Sequence, residues 1–230
     1  MLSKLERSHM NFSTKVIKYL LNLQNPAQLT NNIETLNPYI TDEVQYVVTS
    51  FYKKFYSDEN ERLFIFGINP GRFGGGLTGI SFTDPVVLRE LCGIENDLSN
   101  RKELSSQFVY NVVEKFGGTK KFFSKIFLTA IYPFGIIKNG KNYNYYDEKL
   151  LSKKLRPEII KNINSQIGFG ARKNLVILLG KKNAEFFTEI NKEHKFFQRI
   201  SVLEHPRYIM QYRLKKIDEY IKKYIDAINL

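Results

Sequence analysis

The chain has 230 residues, 43% of them hydrophobic and 14% aromatic, which is enough to bury a sizeable core and too apolar for a disordered chain. A formal charge of +12 favours anionic partners, nucleic acid first and a membrane surface second, although a solvated Lys-rich surface explains the same excess. The lone cysteine, Cys92, excludes an internal disulfide, a multi-cysteine zinc site and a cysteine-held iron–sulfur cluster, and His9, His194 and His205 lack HxxH or HExxH spacing.

Asn11 and Ser13 can cap a first helix that carries Phe12, Val16, Tyr19, Leu20 and Leu23 on one stripe and ends at Asn25-Pro26. A second helix begins at about Thr41, with Val47, Val48, Phe51 and Phe55 facing inward. Leu63-Phe64-Ile65-Phe66 is an unbroken apolar run that suits a strand buried on both faces. It stops at Gly67. The sixteen residues from Gly67 to Phe82 hold six glycines and Pro70, which is turn chemistry. Thr83-Asp84-Pro85 starts a helix over Val86–Leu91, and a further helix from about Lys102 to Phe116 ends at Gly117-Gly118. Ile126–Ile131 is the second predicted strand.

The polar, aromatic stretch Gly135–Tyr146 includes Lys138 and Lys141; it reads as a hairpin or solvent loop, or as a segment that tracks a phosphate backbone with stacking rings. A long helix over Asp147–Ile167 follows, kinked or restarted at Pro157. Leu175–Leu179 is the third strand, Asn183–Ile190 a helix, and Arg199–Leu203 the fourth strand. The last helix, about Gln211–Ile228, is expected to bury Leu214, Ile217, Ile221, Tyr224 and Ile225.

Strands alternating with helices predict an α/β fold, a four-stranded parallel sheet covered on both faces. One domain is expected over 1–230, with a helical N-terminal segment at 1–57 and the α/β core and C-terminal helix at 58–230. No apolar run is long enough to span a bilayer and the N-terminus lacks a secretory h-region, so a soluble, cytoplasmic protein is expected. Right-handed crossovers carry all strand carboxyl ends to one edge, which receives Asn69, the Thr129–Pro133 segment, Gly180 and His205.

The loop from Gly67 is neither a GxGxxG fingerprint nor a Walker A sequence; a backbone anion nest remains open to it. Asn69 can hold a water and contact a polar ligand, or simply form a turn before Pro70. His205 can donate to developing negative charge, or sit as an ordinary loop histidine. Arg207 and Arg213 suit phosphate contacts, Phe82 suits stacking on a planar ring or core packing, and Cys92 suits inert packing.

Gly67-Ile68-Asn69-Pro70-Gly71-Arg72-Phe73-Gly74, followed by Thr78-Gly79-Ile80-Ser81-Phe82 and the later His205-Pro206, resembles the uracil-DNA glycosylase superfamily, in particular the single-strand-selective monofunctional branch and its bacterial relatives. The resemblance covers roughly residues 58–225 and implies a three-layer α/β/α fold. It implies that Asn69 positions a hydrolytic water, that Phe82 stacks on a flipped base, and that His205 stabilises the departing base anion. Gly67, Ile68, Pro70, Gly71, Phe73, Gly79, Thr129, Ala130 and Tyr132 would surround the base. Arg72, Arg207, Arg213 and a wedge from Tyr208, Ile209 or Met210 would engage DNA.

The sequence departs from the family pattern at three places. Ala130 stands where the family carries an Asn that reads the uracil edge, Leu77 stands where a Gln is usual, and Arg207-Tyr208 replaces the residues that follow His-Pro. The function implied is a monofunctional DNA glycosylase acting on uracil or a related damaged base, in single- or double-stranded DNA, as a monomer with no metal or cofactor. A catalytically silent DNA- or nucleotide-binding protein of the same fold is the alternative, and a nucleoside or nucleotide enzyme a further one.

Overall fold

The computed structural model describes residues 10–25, 29 and 32–230; His9 and Pro26 lie outside the described residues. Helix α1 (Phe12–Leu21) begins where Asn11 Oδ1 accepts from the Thr14 amide at 2.9 Å, satisfying a donor the first turn leaves free. Strand β1 (Ile33–Leu36) follows, then α2 (Asp42–Tyr56), which Thr41 caps by accepting from the Val44 amide at 3.4 Å. The chain continues through β2 (Arg62–Gly67), the one-turn α3 (Gly75–Thr78), α4 (Pro85–Glu90), α5 (Leu104–Phe116) and α6 (Thr119–Phe123). After β3 (Ile126–Ala130) come the hairpin strands β4 (Gly135–Lys138) and β5 (Lys141–Tyr143), and the long α7 (Lys149–Ile167). The remaining elements are β6 (Ala171–Leu179), α8 (Lys181–His194), β7 (Ile200–Leu203), α9 (Pro206–Tyr212) and α10 (Ile217–Ile228).

Strands β3-β2-β6-β7 form the parallel sheet, with Phe64 of β2 registered against Phe127 and Val176. Every residue of β2 is buried, because helices cover both faces, as the unbroken apolar run requires. On one face the Phe12 ring of α1 stands edge-on to Phe127 at 5.1 Å, and Phe187 of α8 meets Phe66 at 5.7 Å. Helices α5, α9 and α10 pack together elsewhere, with Phe108 edge-on to Tyr224 at 4.9 Å. The four-stranded α/β fold is the one expected.

Arg62 opens β2 with no exposed surface. Nε donates to Phe123 O at 2.8 Å, Nη1 to Asn60 O and Asp58 Oδ1 at 2.9 Å, and Nη2 to Asp58 Oδ2 at 2.8 Å. Its guanidinium also lies 4.5 Å from the Phe12 ring centre and 4.7 Å from that of Tyr56. Burial alone would raise the Asp58 carboxyl, but the bonds from Arg62 and Asn60 outweigh it and hold it below the ordinary range.

A second sheet was not expected. Strands β1-β4-β5 pair antiparallel, joining the N-terminal segment to the stretch after β3 through Ile33↔Lys138 and Leu36↔Gly135. The N-terminal segment is therefore not purely helical; its four-residue strand is too short to show a period, and its partner lies a hundred residues on. A Cβ on Gly135 would sit 3.1 Å from both Leu36 Cβ and Pro70 O, so glycine permits β1 to lie against the loop after β2.

The C-terminal region also differs from expectation. The helix predicted over Gln211–Ile228 is two helices, α9 and α10, joined through a 3-10 turn at Leu214–Lys216, and Leu214 is 55% exposed. Helix α7, by contrast, runs unbroken through Pro157. Among the described residues no helix is long and apolar enough to cross a membrane.

Candidate active site

The carboxyl edge of the parallel sheet opens into a crevice of about 600 Å³. Its walls come from the loop after β2, Ala130 at the end of β3, the hairpin after β4, and the His205–Tyr212 segment after β7. Among the described residues no group of three His, Cys, Asp or Glu side chains is placed to hold a metal ion.

Asn69 leaves the mouth of β2 half-buried, with its amide fixed by backbone groups beyond the hairpin. Nδ2 donates to Tyr143 O at 3.1 Å, and Oδ1 accepts from the Tyr145 amide at 3.4 Å. Exchanging its oxygen and nitrogen would set donor against donor and acceptor against acceptor, so the orientation is set. One N–H and one oxygen lone pair stay unused by these bonds.

His205 caps α9, and its Nδ1 accepts from the Arg207 amide at 3.2 Å. That bond makes Nδ1 the unprotonated nitrogen, so the neutral ring carries its proton on Nε2. Burial first, and the Arg207 charge second, lower the imidazole pKa from 6.5 to about 4. The ring is thus a neutral donor at physiological pH. Its backbone is tied down by the preceding residue, since Tyr224 Oη donates to Glu204 O.

Phe82 lies 6.0 Å from His205, centroid to centroid, with the planes at 48°. Its φ of 56° is rare for a bulky residue, and such backbone strain is tolerated where surrounding structure imposes it. A Cβ on Gly67 would fall 2.5 Å from Phe82 Cζ. The ring therefore rests on the bare backbone of Gly67, which only glycine allows.

The rim is basic and aromatic. Phe73 lies between Arg72 and Arg101, whose guanidinium carbons are 4.4 and 4.2 Å from its ring centre. Arg207 Nη1 lies 3.9 Å from Glu103 Oε1, and exposed Tyr208 and Tyr212 stand 5.5 Å apart on α9. Burial raises the Glu103 carboxyl, opposed by bonds from Ser105 and Ser106 and by the Arg207 charge.

A model of the uracil DNA glycosylase superfamily matches residues 53–229. The chain belongs to the uracil DNA glycosylase superfamily. The crystal structure of wild-type SMUG2 from Pedobacter heparinus is similar to it at 41% identity and a TM-score of 0.92, over 96% of this chain and 97% of that one. No curated protein sequence matches the chain.

For a glycosylase-superfamily crevice, the structure gathers most of the expected residues and leaves out six. Gly67, Ile68, Asn69, Pro70, Gly71, Arg72, Phe73, Phe82, Ala130, His205, Arg207 and Tyr208 line it. Thr129 does not, because its hydroxyl turns to Gln166 Oε1 on α7. Tyr132 is fully buried against Phe134. Gly79 ends α3 in a left-handed turn, and a Cβ there would strike Val48 and Tyr39 at 2.8 and 2.9 Å, so its glycine serves the fold. Ile209 has no exposed surface, Met210 packs half-buried against the core, and Arg213 donates to Tyr212 O at 3.0 Å beyond the crevice. Of the three wedge candidates, Tyr208 alone stands exposed at the crevice, and Ile209 and Met210 do not.

Several lining residues were not anticipated, among them Ser81, Glu103, Ser105, Asn144, Tyr146 and Tyr212. The polarity of Gly135–Tyr146 was a signal for Asn144 and Tyr146. Nothing in the local sequence marks Glu103, which arrives through two part-buried links: its amide donates to Asp84 Oδ2 at 2.9 Å, and its own carboxylate caps α5.

Proposed function

We propose that this chain is a monofunctional DNA glycosylase that hydrolyses the N-glycosidic bond of uracil or a related damaged base and leaves an abasic site. The observation that carries the reading is the meeting of Asn69, Phe82 and His205 in one crevice, with Asn69 fixed in orientation and His205 fixed as an Nε2–H donor. A base inside a duplex is out of reach, so the nucleotide is extruded into the crevice, where its face rests on Phe82. The Asn69 lone pair left free holds a water near the sugar C1′. As the C1′–N bond breaks, its electron pair goes to the base, and the His205 Nε2–H donates to the charge that develops there. One such donor is worth about 2.7–4 kcal/mol of transition-state stabilisation. The water oxygen bonds to C1′, and the proton it loses ends on the departed base anion through solvent, which leaves a neutral base and an abasic sugar without a covalent enzyme intermediate. Arg72, Arg101 and Arg207 at the rim meet the phosphates.

Ala130 offers no polar atom to the base edge from its side chain, and Thr129 faces away, so side-chain recognition passes to wall residues such as Ser81 and Asn144. The same alanine favours a second reading, a protein that binds DNA or nucleotides without hydrolysis. Base release from single- and double-stranded oligonucleotides carrying uracil, hydroxymethyluracil, hypoxanthine, xanthine or mismatched thymine separates the two. Release of any of these bases is the expected result. Salt-sensitive DNA binding without release across the panel supports the second reading.

A further inference from the structure

Asn69 is oriented entirely by a segment that lies about 75 residues away in sequence, so something must hold that segment in place. The hairpin alone is a poor anchor. Strand β5 has only three residues, Lys141 and Asn142 are exposed, and β5 is the outer strand of its sheet. The segment is instead tied to the sheet edge just beyond the hairpin. Tyr145 is fully buried, and its hydroxyl donates to Asn183 Oδ1 at 2.7 Å.

Asn183 itself, at the start of α8, is fully buried. Its Nδ2 lies within hydrogen-bond distance of three carbonyls where β2 and β6 end, Gly67 O at 3.2 Å and Phe66 O and Leu179 O at 3.3 Å. Two of those carbonyls belong to the strand that carries Asn69. The path is therefore closed: β2 holds Asn183, Asn183 holds Tyr145, and the Tyr145 amide holds Asn69, which leaves β2 two residues after Gly67.

The geometry points to Tyr145 and Asn183 as positioning residues that fix the Asn69 amide through this closed loop of hydrogen bonds. Neither is among the residues that line the crevice. Their effect is therefore on the orientation of Asn69 rather than on DNA binding. The role assigned to them rests on the glycosylase reading, but the loop itself is a property of the protein without substrate.

Tyr145→Phe deletes the hydroxyl and keeps the ring against Phe186, 4.8 Å away. Single-turnover base release over a range of DNA concentrations should show the maximal rate constant falling about 10-fold while the half-saturating DNA concentration stays within about 2-fold. In an Asn69→Ala background the same change should have little further effect, because the group it positions is gone. The Asn69 side-chain amide signal in an ¹⁵N-correlated NMR spectrum, assigned by its loss in Asn69→Ala, should shift in Tyr145→Phe without DNA present. An unmoved Asn69 signal, an unchanged rate, or an effect equally large in the Asn69→Ala background overturns the proposal. If the parent chain releases no base at all, the glycosylase reading fails, and the NMR signal still decides whether the loop positions Asn69.

Discussion

At the amino end of β2, Arg62 is wholly buried, and its guanidinium makes four hydrogen bonds and faces two rings. At the carboxyl end, Asn69 is half-buried and keeps one donor and one acceptor unused, and His205 beside it caps a helix through one nitrogen while its other nitrogen stays free to donate. Both ends are polar, and both are held by long-range hydrogen bonds. They differ in what remains after those bonds are made. A buried group whose bonds all go to the protein stabilises a fold, whereas a group oriented by some of its bonds, with other positions left at a crevice, is available for chemistry.

This contrast can be broken at either end. Arg62→Ala leaves Asp58 without its partner and a cavity between Phe12 and Tyr56; it should lower unfolding free energy in urea by about 3 kcal/mol. Base release by the remaining folded protein, measured at low temperature, should keep the parent rate. Gly67→Ala places a methyl 2.5 Å from Phe82 Cζ and forces the ring to move. Base release should fall about 10-fold, with about 1–2 kcal/mol lost in stability from overpacking. A Gly67→Ala protein with parent activity would show that the seat of Phe82 does not matter.

The last effect is in pH, and it appears only below the physiological range. His205 titrates at about 4 in the folded chain against an ordinary 6.5, so the unfolded chain binds its proton first. Its contribution to stability is then complete above about pH 6.5 and is lost as pH falls through about 4. Base release should stay level from about pH 8 to 6 and decline towards pH 4 as Nδ1 becomes protonated and its cap is lost. A decline centred near pH 6.5 would place the ring in solvent instead.

The parallel sheet was legible because Leu63–Phe66 and Leu175–Leu179 are uninterrupted apolar runs of strand length, each stopped by a glycine, as strands buried on both faces require. Asn69 and His205 were legible for a related reason, since the residue just past a parallel strand lies at the sheet's ligand-binding edge. Ile209 shows where such reasoning falls short. His205-Pro206 marks a helix start, with Pro206 at its first turn, and the helical phase then turns Pro206 and Ile209 inward and Arg207, Tyr208 and Tyr212 outward. With the last helix expected only from about Gln211, that phase was not visible. Glu103, Asn144 and Tyr146 reach the crevice through pairings between distant segments, and β1 itself is visible only beside β4. The polarity of Gly135–Tyr146 hints at Asn144 and Tyr146, but local sequence carries no trace of Glu103 or of the β1–β4 pairing.

The most direct test of the specialised carboxyl end is single-turnover base release by Asn69→Ala and His205→Ala, with urea unfolding measured on the same proteins. Each substitution should slow release by about 10²–10³-fold while the unfolding free energy falls by only about 1–2 kcal/mol, for the lost cap or the lost Asn69 bonds, so that the protein stays folded in the assay. Parent-like release by either variant, or a loss of activity matched by a loss of folded protein, would contradict the account.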